Sequence, residues 1–370
     1  MKKVIGIYTF YLGNGEPVWD EGSDNLGGSE TWTIRVAEEF AKLGYHVIVF
    51  GNPTCWHFVP YGDGTVEYTY RDYFKERCQY QHFDYFISSR VAEELSPDIQ
   101  CDNIYIMSHE ARINGARTYQ DLKPNLFKKI ICLSDWHADM LVKDYPGLER
   151  SRISLSFNGV DRELYLPEKT PQKRNMMVWS SCKERGLKYF IDTVFPCVKR
   201  MVPDFELVVC SYNNDVPESY ATLPGIRIVG RLSKQELAQL QLESKIWAYL
   251  NYGIDEETGY PAHETFCITA VENGMAGNAL ICSNASGLDT TLRGYSGLVG
   301  TDLDLSFDNM NAETRNQLKN EIVAKIIHLL YEDESGEECW RLGVEAKEIC
   351  SKYVWRDAAK SLLRIMGEKI

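Results

Sequence analysis

His263-Glu264-Thr265-Phe266-Cys267-Ile268-Thr269-Ala270-Val271-Glu272-Asn273-Gly274, followed by Met275-Ala276-Gly277, is the stretch around which the chain reads. Between Glu264 and Glu272 every position is apolar, small or a hydroxyl, so a helix here is apolar nearly all round and belongs in a core. Glu272 is then the anomaly, because a carboxylate is hardly ever buried without a partner that offsets its desolvation. It must meet a cation or face a cleft in which a ligand supplies hydroxyl donors. Glu264 stands where the helix would start, with the N–H groups of Thr265, Phe266 and Cys267 as its unpaired first-turn donors, and a helix N-terminus attracts anions. As a bare pattern, the stretch is equally a buried helix whose one Glu reaches solvent at its edge.

On either side of this stretch, short apolar runs alternate with helical patterns. In the first half the expected strands are 4–8, 46–50, 83–88, 103–107, 129–133 and 152–156. In the second half they are 176–179, 205–210, 226–229, 246–250, 279–283 and 297–299. Strands alternating with helices imply parallel sheets with crossover helices, and two such series imply two doubly wound α/β domains. A chain of 370 residues is also too long for one core. The boundary falls near Phe157-Asn158-Gly159-Val160-Asp161, where a strand ends in a turn and Pro167 and Pro171 follow. Residues 353–366 read as an amphipathic terminal helix, and the aromatic-rich 52–99 carries no assignment beyond core and surface.

Composition excludes several classes. A net charge of −13 argues against nucleic acid as a partner, and Lys123, Lys128 and Lys129 are read as a solvated face. No segment approaches the length of a membrane span, and the amino terminus runs straight into a strand, so the expectation is a cytoplasmic protein with peripheral membrane association left open. The eleven cysteines are scattered without a Cys-x-x-Cys pair and read as reduced thiols.

The opening stretch resembles the Glu-x7-Glu signature of retaining glycosyltransferases with the GT-B fold (the family 4-like, group 1 glycosyltransferases), with Glu-Thr-Phe-Cys-Ile-Thr at its start. It departs from the usual pattern in Asn273-Gly274-Met275 and in Ala279. The resemblance implies two Rossmann-like domains with a cleft between them: 1–158, joined by a crossover helix 353–370, for the acceptor, and 159–352 for the nucleotide-sugar donor. It implies that Glu264 contacts the donor sugar, Glu272 the ribose hydroxyls, and the backbone of Thr265, Phe266 and Cys267 the diphosphate.

Other residues take roles in the same way. Gly27-Gly28-Ser29-Glu30 opens a helix expected over 31–43, where glycines admit a phosphate to the backbone; the structural alternative is a tight turn with Ser29 as N-cap. The segment with Trp19, Asp20, Glu21 and Asp24 before it is expected to be mobile and to help cover the acceptor. His109 follows a strand at its carboxyl end, where ligands sit in open sheets, and resembles a histidine that relatives keep near the reacting sugar. His137, by contrast, reads as solvated. Ser180, Ser181, Lys183 and Arg185 form the loop that in relatives brings cations to the diphosphate; here Arg185 matches, and Lys183 is the candidate for the second charge. Gly230 and Arg231 resemble the segment that lines the base, and Ser233 with Glu236 reads as a capping box.

The implied activity is transfer of a sugar, with retention, from a nucleotide diphosphate to a carbohydrate, lipid-linked or protein acceptor hydroxyl. No cofactor and no metal are expected: the one Asp-x-Asp, Asp302-Leu303-Asp304, reads as a solvated turn, and 251–262, with its three acidic residues, as an insertion of unknown purpose. A sugar-nucleotide epimerase or hydrolase, a phosphorylase and a non-catalytic nucleotide-sugar scaffold remain as alternatives on the same fold.

Overall fold

The alternating apolar runs become buried parallel strands in both halves of the chain. The computed structural model describes residues 2–11, 17–23, 26–210, 216–250, 263–301, 303 and 311–370. The chain divides into two units, Met1–Gly159 with Tyr353–Ile370, and Val160–Lys352.

The first unit contains β1 (Val4–Thr9), α1 (Gly28–Lys42), β2 (His46–Gly51), β3 (His57–Tyr61), β4 (Gly64–Tyr70), α2 (Phe74–Cys78), β5 (Tyr85–Ser89), β6 (Ile104–Met107), β7 (Lys129–Cys132), α3 (Asp135–Asp144) and β8 (Ile153–Leu155). They build one eight-stranded sheet in the order β3-β4-β2-β1-β5-β6-β7-β8. Every strand expected here is present, its ends shifted by no more than a residue or two. The hairpin β3–β4 is an addition within 52–99. Its antiparallel edge strand alternates half-buried and exposed residues and carries Pro60, which blunts the open edge against further pairing. The chain moves from β1 to β2 on one side and to β5 on the other, so the winding reverses between β1 and β5, whose register sets Thr9 beside Ser89. One face buries Ile48, Phe50, Phe83, Phe86, Ile104 and Ile106 among its core residues.

The second unit contains β9 (Met176–Trp179), α4 (Leu187–Tyr189), α5 (Phe195–Met201), β10 (Glu206–Val209), α6 (Glu218–Ala221), β11 (Ile226–Ile228), α7 (Lys234–Glu243), β12 (Ile246–Tyr249), α8 (Ile268–Met275), β13 (Ala279–Cys282), α9 (Gly287–Thr291), α10 (Ala312–Ile327) and α11 (Glu337–Cys350). Its strands pair as β11-β10-β9 and as β12-β13, all parallel, and a bridge from Arg174 to Ser244 links the two ladders. The winding reverses here between β9 and β12. Residues 297–299, expected as a strand, contribute a single bridge from Val299 to Ser283. Ser233 and Glu236 form the capping box that opens α7. Lys173 closes the far ends of α7 and α8, donating to Ser244 O at 2.7 Å and Ala276 O at 3.1 Å; a cation is favoured there because the last carbonyls of a helix lack internal partners.

All eleven cysteines are free thiols. Among the described residues no helix is long and apolar enough to cross a membrane. The final helix, α12 (Trp355–Ile365), belongs to the first unit, buries Trp355, Ala358, Ala359, Leu362 and Leu363, and packs against α1. Its start is seated on Gly159, where a Cβ would fall 2.3 Å from the Trp355 amide nitrogen. Gly159→Ala should therefore destabilise this seat by about 1–3 kcal/mol, the range for overpacking. Hydrogen exchange is the measurement, with faster exchange expected in α12 and unchanged exchange in β10.

Candidate functional site

In the second unit the reversal of winding leaves a crevice at the carboxyl ends of β9 and β12, the place where open parallel sheets receive ligands. After β9 the chain runs through Ser180, Ser181 and a short turn, Lys183–Arg185, that ends at Gly186 in the left-handed region. After β12 and residues 251–262, which lie outside the described residues, comes His263-Glu264. The two loops meet: Arg185 Nη1 lies 2.9 Å from Glu264 Oε1 and donates to His263 O, also at 2.9 Å. Tyr249, the last residue of β12, donates its hydroxyl to the same Glu264 oxygen at 2.8 Å. Burial opposes the Arg185 charge, but Glu264, seconded by Tyr249, Cys182 and Cys267, outweighs it and holds the guanidinium above its ordinary pKa. Burial, seconded by Glu264, pushes the Tyr249 hydroxyl well up, so it remains a donor.

The helix after Glu264 starts later than the sequence suggests. Cys267, at φ 73°, is the N-cap of α8, which begins at Ile268. Segment 264–267 is pulled away from helical geometry by α9: Gly287 N–H bonds Glu264 O at 2.7 Å, and Thr291 Oγ1 donates to Phe266 O at 2.5 Å. Thr265, Phe266 and Cys267 are thus a loop before the helix, and the first-turn N–H groups belong to Ile268, Thr269 and Ala270.

Glu272, on α8, is half-buried, in a setting apart from the Arg185 pair. Gln241 of α7 donates to its Oε2 at 3.4 Å; Lys234 acts on it favourably and Asp161 unfavourably. Beside it, Tyr165 spends its hydroxyl on Gln241 at 2.8 Å. Desolvation raises the Glu272 pKa to about 7, so this carboxylate is undercompensated. Ser180 is buried with its Oγ unpartnered, and Ser181 O accepts from the Trp179 ring nitrogen. Lys183 is half-buried at the start of its turn, while Gly230, with φ 65°, and exposed Arg231 lie beyond the edge strand β11.

In the first unit Gly27, in extended conformation, is the N-cap of α1, and Gly28 is its first residue. Ser29 lies inside the helix rather than capping it, its Oγ turned to Glu30 Oε1 at 3.1 Å. Glu30 is buried and paired with Arg90 at 2.8 Å, and Arg90 also reaches Glu110 at 2.5 Å. An anion approaching this helix start would meet the Glu30 carboxylate. His109 lies edge-on to Trp32, at 5.1 Å between centroids, and burial, then Arg90 and His137, hold its pKa well below the usual imidazole value.

His137 is buried, not solvated. Its Nδ1 faces the Leu133 N–H at 3.3 Å, and its Nε2 lies 2.8 Å from Glu110 O and 3.1 Å from Ser108 Oγ. Because an N–H faces Nδ1 and a carbonyl faces Nε2, the neutral tautomer carries its proton on Nε2 and pins the 108–110 loop. Arg90, Tyr249 and His137 carry no motif in the sequence; only the strand-end positions of Tyr249 and Arg90 could have marked them.

Trp19 is buried and its N–H bonds Asn52 O at 2.9 Å, so this part of the preceding loop is fixed to β2. Asp20, Glu21 and His57 place ligand atoms within 4.8 Å of one another. His57 Nε2 meets Glu21 at 2.7 Å and Nδ1 meets Cys55 O at 2.7 Å. Burial opposes the His57 charge, but the Cys55 carbonyl and Glu21, with Asp20 behind them, raise its pKa above the ordinary imidazole value. Asp302 and Asp304 lie outside the described residues.

Two parallel-sheet units of this topology define the GT-B fold, and comparison with solved structures agrees. The chain is similar to sucrose-phosphate synthase from Thermosynechococcus elongatus, at 14% identity over 98% of each chain and a TM-score of 0.64. It is similar also to HepE from Anabaena, solved with UDP and glucose, at 14% identity over 99% of this chain and 100% of that one and a TM-score of 0.67. OtsA in its apo form matches at 12% identity over 100% of both chains, with a TM-score of 0.62. At such identities the likeness establishes the fold. No family model and no curated protein matches the chain.

The Glu272 geometry carries a stability consequence. A carboxyl group whose folded pKa of about 7 exceeds its ordinary value of 4.5 binds its proton more tightly in the folded state. Its contribution to stability is therefore full below pH 4.5 and is lost as pH rises through about 7. Glu272→Gln should be more stable than wild type at pH 8, by on the order of 1–3 kcal/mol, with the gap closing by pH 5. Ligand-free urea unfolding at both pH values is the check, and a gap independent of pH would contradict the assignment.

A second variant probes the loop. A Cβ on Gly287 would fall 2.4 Å from Thr265 C and 2.6 Å from Glu264 O, so Gly287→Ala should displace Glu264 from Arg185. Hydrogen exchange across the 264–267 loop should quicken, while exchange in β10 stays native.

Proposed function

We propose that the chain is a retaining glycosyltransferase that moves a sugar from a nucleoside diphosphate to an acceptor hydroxyl. The observation that carries this reading is the Arg185–Glu264–Tyr249 cluster at the switch point of the second unit. A charged donor and a charged acceptor held together there match a ligand with a diphosphate on one side and sugar hydroxyls on the other. Glu264 accepts hydrogen bonds from the sugar hydroxyls, and Arg185, once Glu264 is engaged by sugar, turns its charge to the departing diphosphate. Lys183 and the first-turn N–H groups of α8 add to that potential. The undercompensated carboxylate of Glu272 takes the ribose hydroxyls, and Ser180 offers its unused hydroxyl to the phosphates. The first unit is assigned the acceptor, with His109 as a neutral imidazole near the reacting sugar.

HepE was solved with UDP-glucose, so uridine donors are the first to try. Positive charge from Arg185, Lys183 and the helix start does what a divalent cation would do, and the mechanism is written without one. The acceptor class includes carbohydrate, lipid-linked and protein hydroxyls, and the site of action is the cytoplasm.

Transfer of labelled sugar from a panel of uridine, guanosine and adenosine diphosphate sugars tests the reading. Arg185→Ala should lower turnover by about 10²–10³, as for one preorganised charge contact. Glu264→Gln should lose transfer while its affinity for free UDP stays level or rises, because Arg185 is released from its counter-ion. Glu272→Gln should weaken nucleotide binding by roughly 1–3 kcal/mol by calorimetry. Activity should survive EDTA, and the product anomer by NMR should match the donor's. An inverted anomer, or activity that only Mg²⁺ or Mn²⁺ restores, would overturn the retaining or the metal-free step respectively.

A further inference from the structure

The first unit reverses its winding between β1 and β5, the place where open parallel sheets receive ligands in a crevice. Arg90, directly after β5, is its hub. It holds a left-handed φ of 75° although it is not glycine, a strain of about 1–2 kcal/mol that persists only where neighbours enforce it. The enforcement is visible: Arg90 N–H bonds Met107 O at 2.8 Å, and the Arg90 carbonyl takes the Asn114 N–H at 2.9 Å and its Nδ2 at 3.0 Å. So held, the guanidinium reaches Phe10 O at 3.2 Å, Glu30 at 2.8 Å and Glu110 at 2.5 Å, tying the ends of β1 and β6 to the start of α1.

Buried polar atoms without a hydrogen-bond partner among the described residues gather at this edge: Thr9 Oγ1, Ser89 Oγ, Arg90 Nε and Glu110 Oε2. Thr9 and Ser89 are register partners on adjacent parallel strands, so their side chains share a face. Folded proteins leave few buried polar atoms unsatisfied because each costs free energy, and a cluster that mixes donors with acceptors marks a place where a polar ligand completes the network. An unused guanidinium N–H and an unused carboxylate oxygen across one ion pair match a hydroxyl, which accepts from the first and donates to the second.

Charge narrows the ligand further. Arg90 faces two carboxylates, Glu30 and Glu110. Arg71, which donates to Thr9 O at 3.4 Å, is the other cation here, and Tyr8 at the same strand end is acted on by Glu94, Asp72 and Glu93 as well as by Arg71. His109, depressed well below the usual imidazole pKa by burial and by Arg90, adds no positive charge at neutral pH. The edge is therefore net negative and repels anions.

We propose that this crevice is a subsite for a neutral polyol, with Glu110 and Arg90 as the recognising pair, and that it selects uncharged sugar acceptors against phosphorylated or carboxylated ones. The proposal deepens the glycosyltransferase reading by naming the acceptor class.

Saturation-transfer NMR on the full chain provides the test, with the methyl α-glycosides of glucose, mannose and galactose as neutral probes, glucose 6-phosphate as the anionic one, and UDP by calorimetry as the donor-side control. The expected result is transfer to at least one neutral glycoside and none to glucose 6-phosphate. Glu110→Gln should weaken that glycoside roughly tenfold or more, the effect of losing one charged hydrogen bond, with thermal midpoint and UDP affinity held. Arg90→Lys, which keeps the charge and loses the fork, should do the same. Equal glycoside binding by Glu110→Gln, no glycoside signal in the wild type, or displacement of the glycoside by glucose 6-phosphate would overturn the subsite. A Glu110-dependent glycoside signal in a chain that neither binds UDP nor turns over a nucleotide sugar would uphold the crevice and sink the transferase reading alone.

Discussion

An arginine held against a glutamate at the point where a parallel sheet reverses its winding is the constraint on which the rest of this chain depends. Parallel strands deliver their chain ends to one edge, and at the switch point the loops diverge to opposite faces and leave a crevice. Polar groups in such a crevice are half-desolvated, so a charge placed there needs a counter-charge. Arg185 and Glu264 meet that need in the second unit, and the pairing also fixes the chain that follows: with its carboxylate on Arg185 and its carbonyl on the Gly287 N–H, Glu264 cannot begin a helix. The helix starts at Ile268, after Cys267 has turned through the left-handed region.

The first unit solves the same problem with the same chemistry in a different order. There the arginine carries the left-handed backbone, at Arg90, and the glutamates come from a helix start and from the loop after β6. Each unit thus places a residue of left-handed backbone near an arginine–glutamate contact at its switch point. Strain of this kind persists only where surrounding contacts over-determine it, and both segments are pinned by backbone hydrogen bonds as well as by charge. The two switch points differ in balance: Arg185 meets one carboxylate, Glu264, whereas Arg90 meets two, Glu30 and Glu110. That difference supports the proposed placement of the anionic end of a donor in the second unit and of an uncharged partner in the first.

The architecture was legible because strand burial writes itself as apolar runs. Ile5, Ile7, Val47 and Val49 are fully or almost fully buried, and such runs read as strands without ambiguity. The β3–β4 hairpin was not legible, because its edge strand is half exposed and aromatic, so neither strict alternation nor a continuous run marks it. The start of α8 was misread for a different reason. Cys267 in a left-handed conformation has no sequence mark, since the cause lies twenty residues on, in the close approach of Gly287. His137 was misplaced because spacing set it on the polar side of its helix, whereas the Glu110 carbonyl gave its ring a buried partner. Candidates chosen by motif, such as Glu264 and Arg185, came together; Arg90 and Tyr249, which act through tertiary pairing alone, carried no signal.

What distinguishes Glu264 from Glu272 is compensation, and this bears on how the second unit can work. Glu264 has Arg185 and Tyr249 on one oxygen, whereas Glu272 has a long hydrogen bond from Gln241 and the more distant Lys234. A carboxylate already satisfied by a cation releases that cation only when something else binds it, so under the proposed function the Arg185 charge becomes available as sugar hydroxyls replace it on Glu264. A carboxylate left undercompensated gains from any hydroxyl donor at once. On the proposed reading, binding energy at Glu272 serves affinity in the ground state, whereas the exchange of partners at Glu264 and Arg185 places positive charge where the leaving diphosphate becomes most negative. Interactions of that second kind, stronger in the transition state than before it, are the ones that raise turnover.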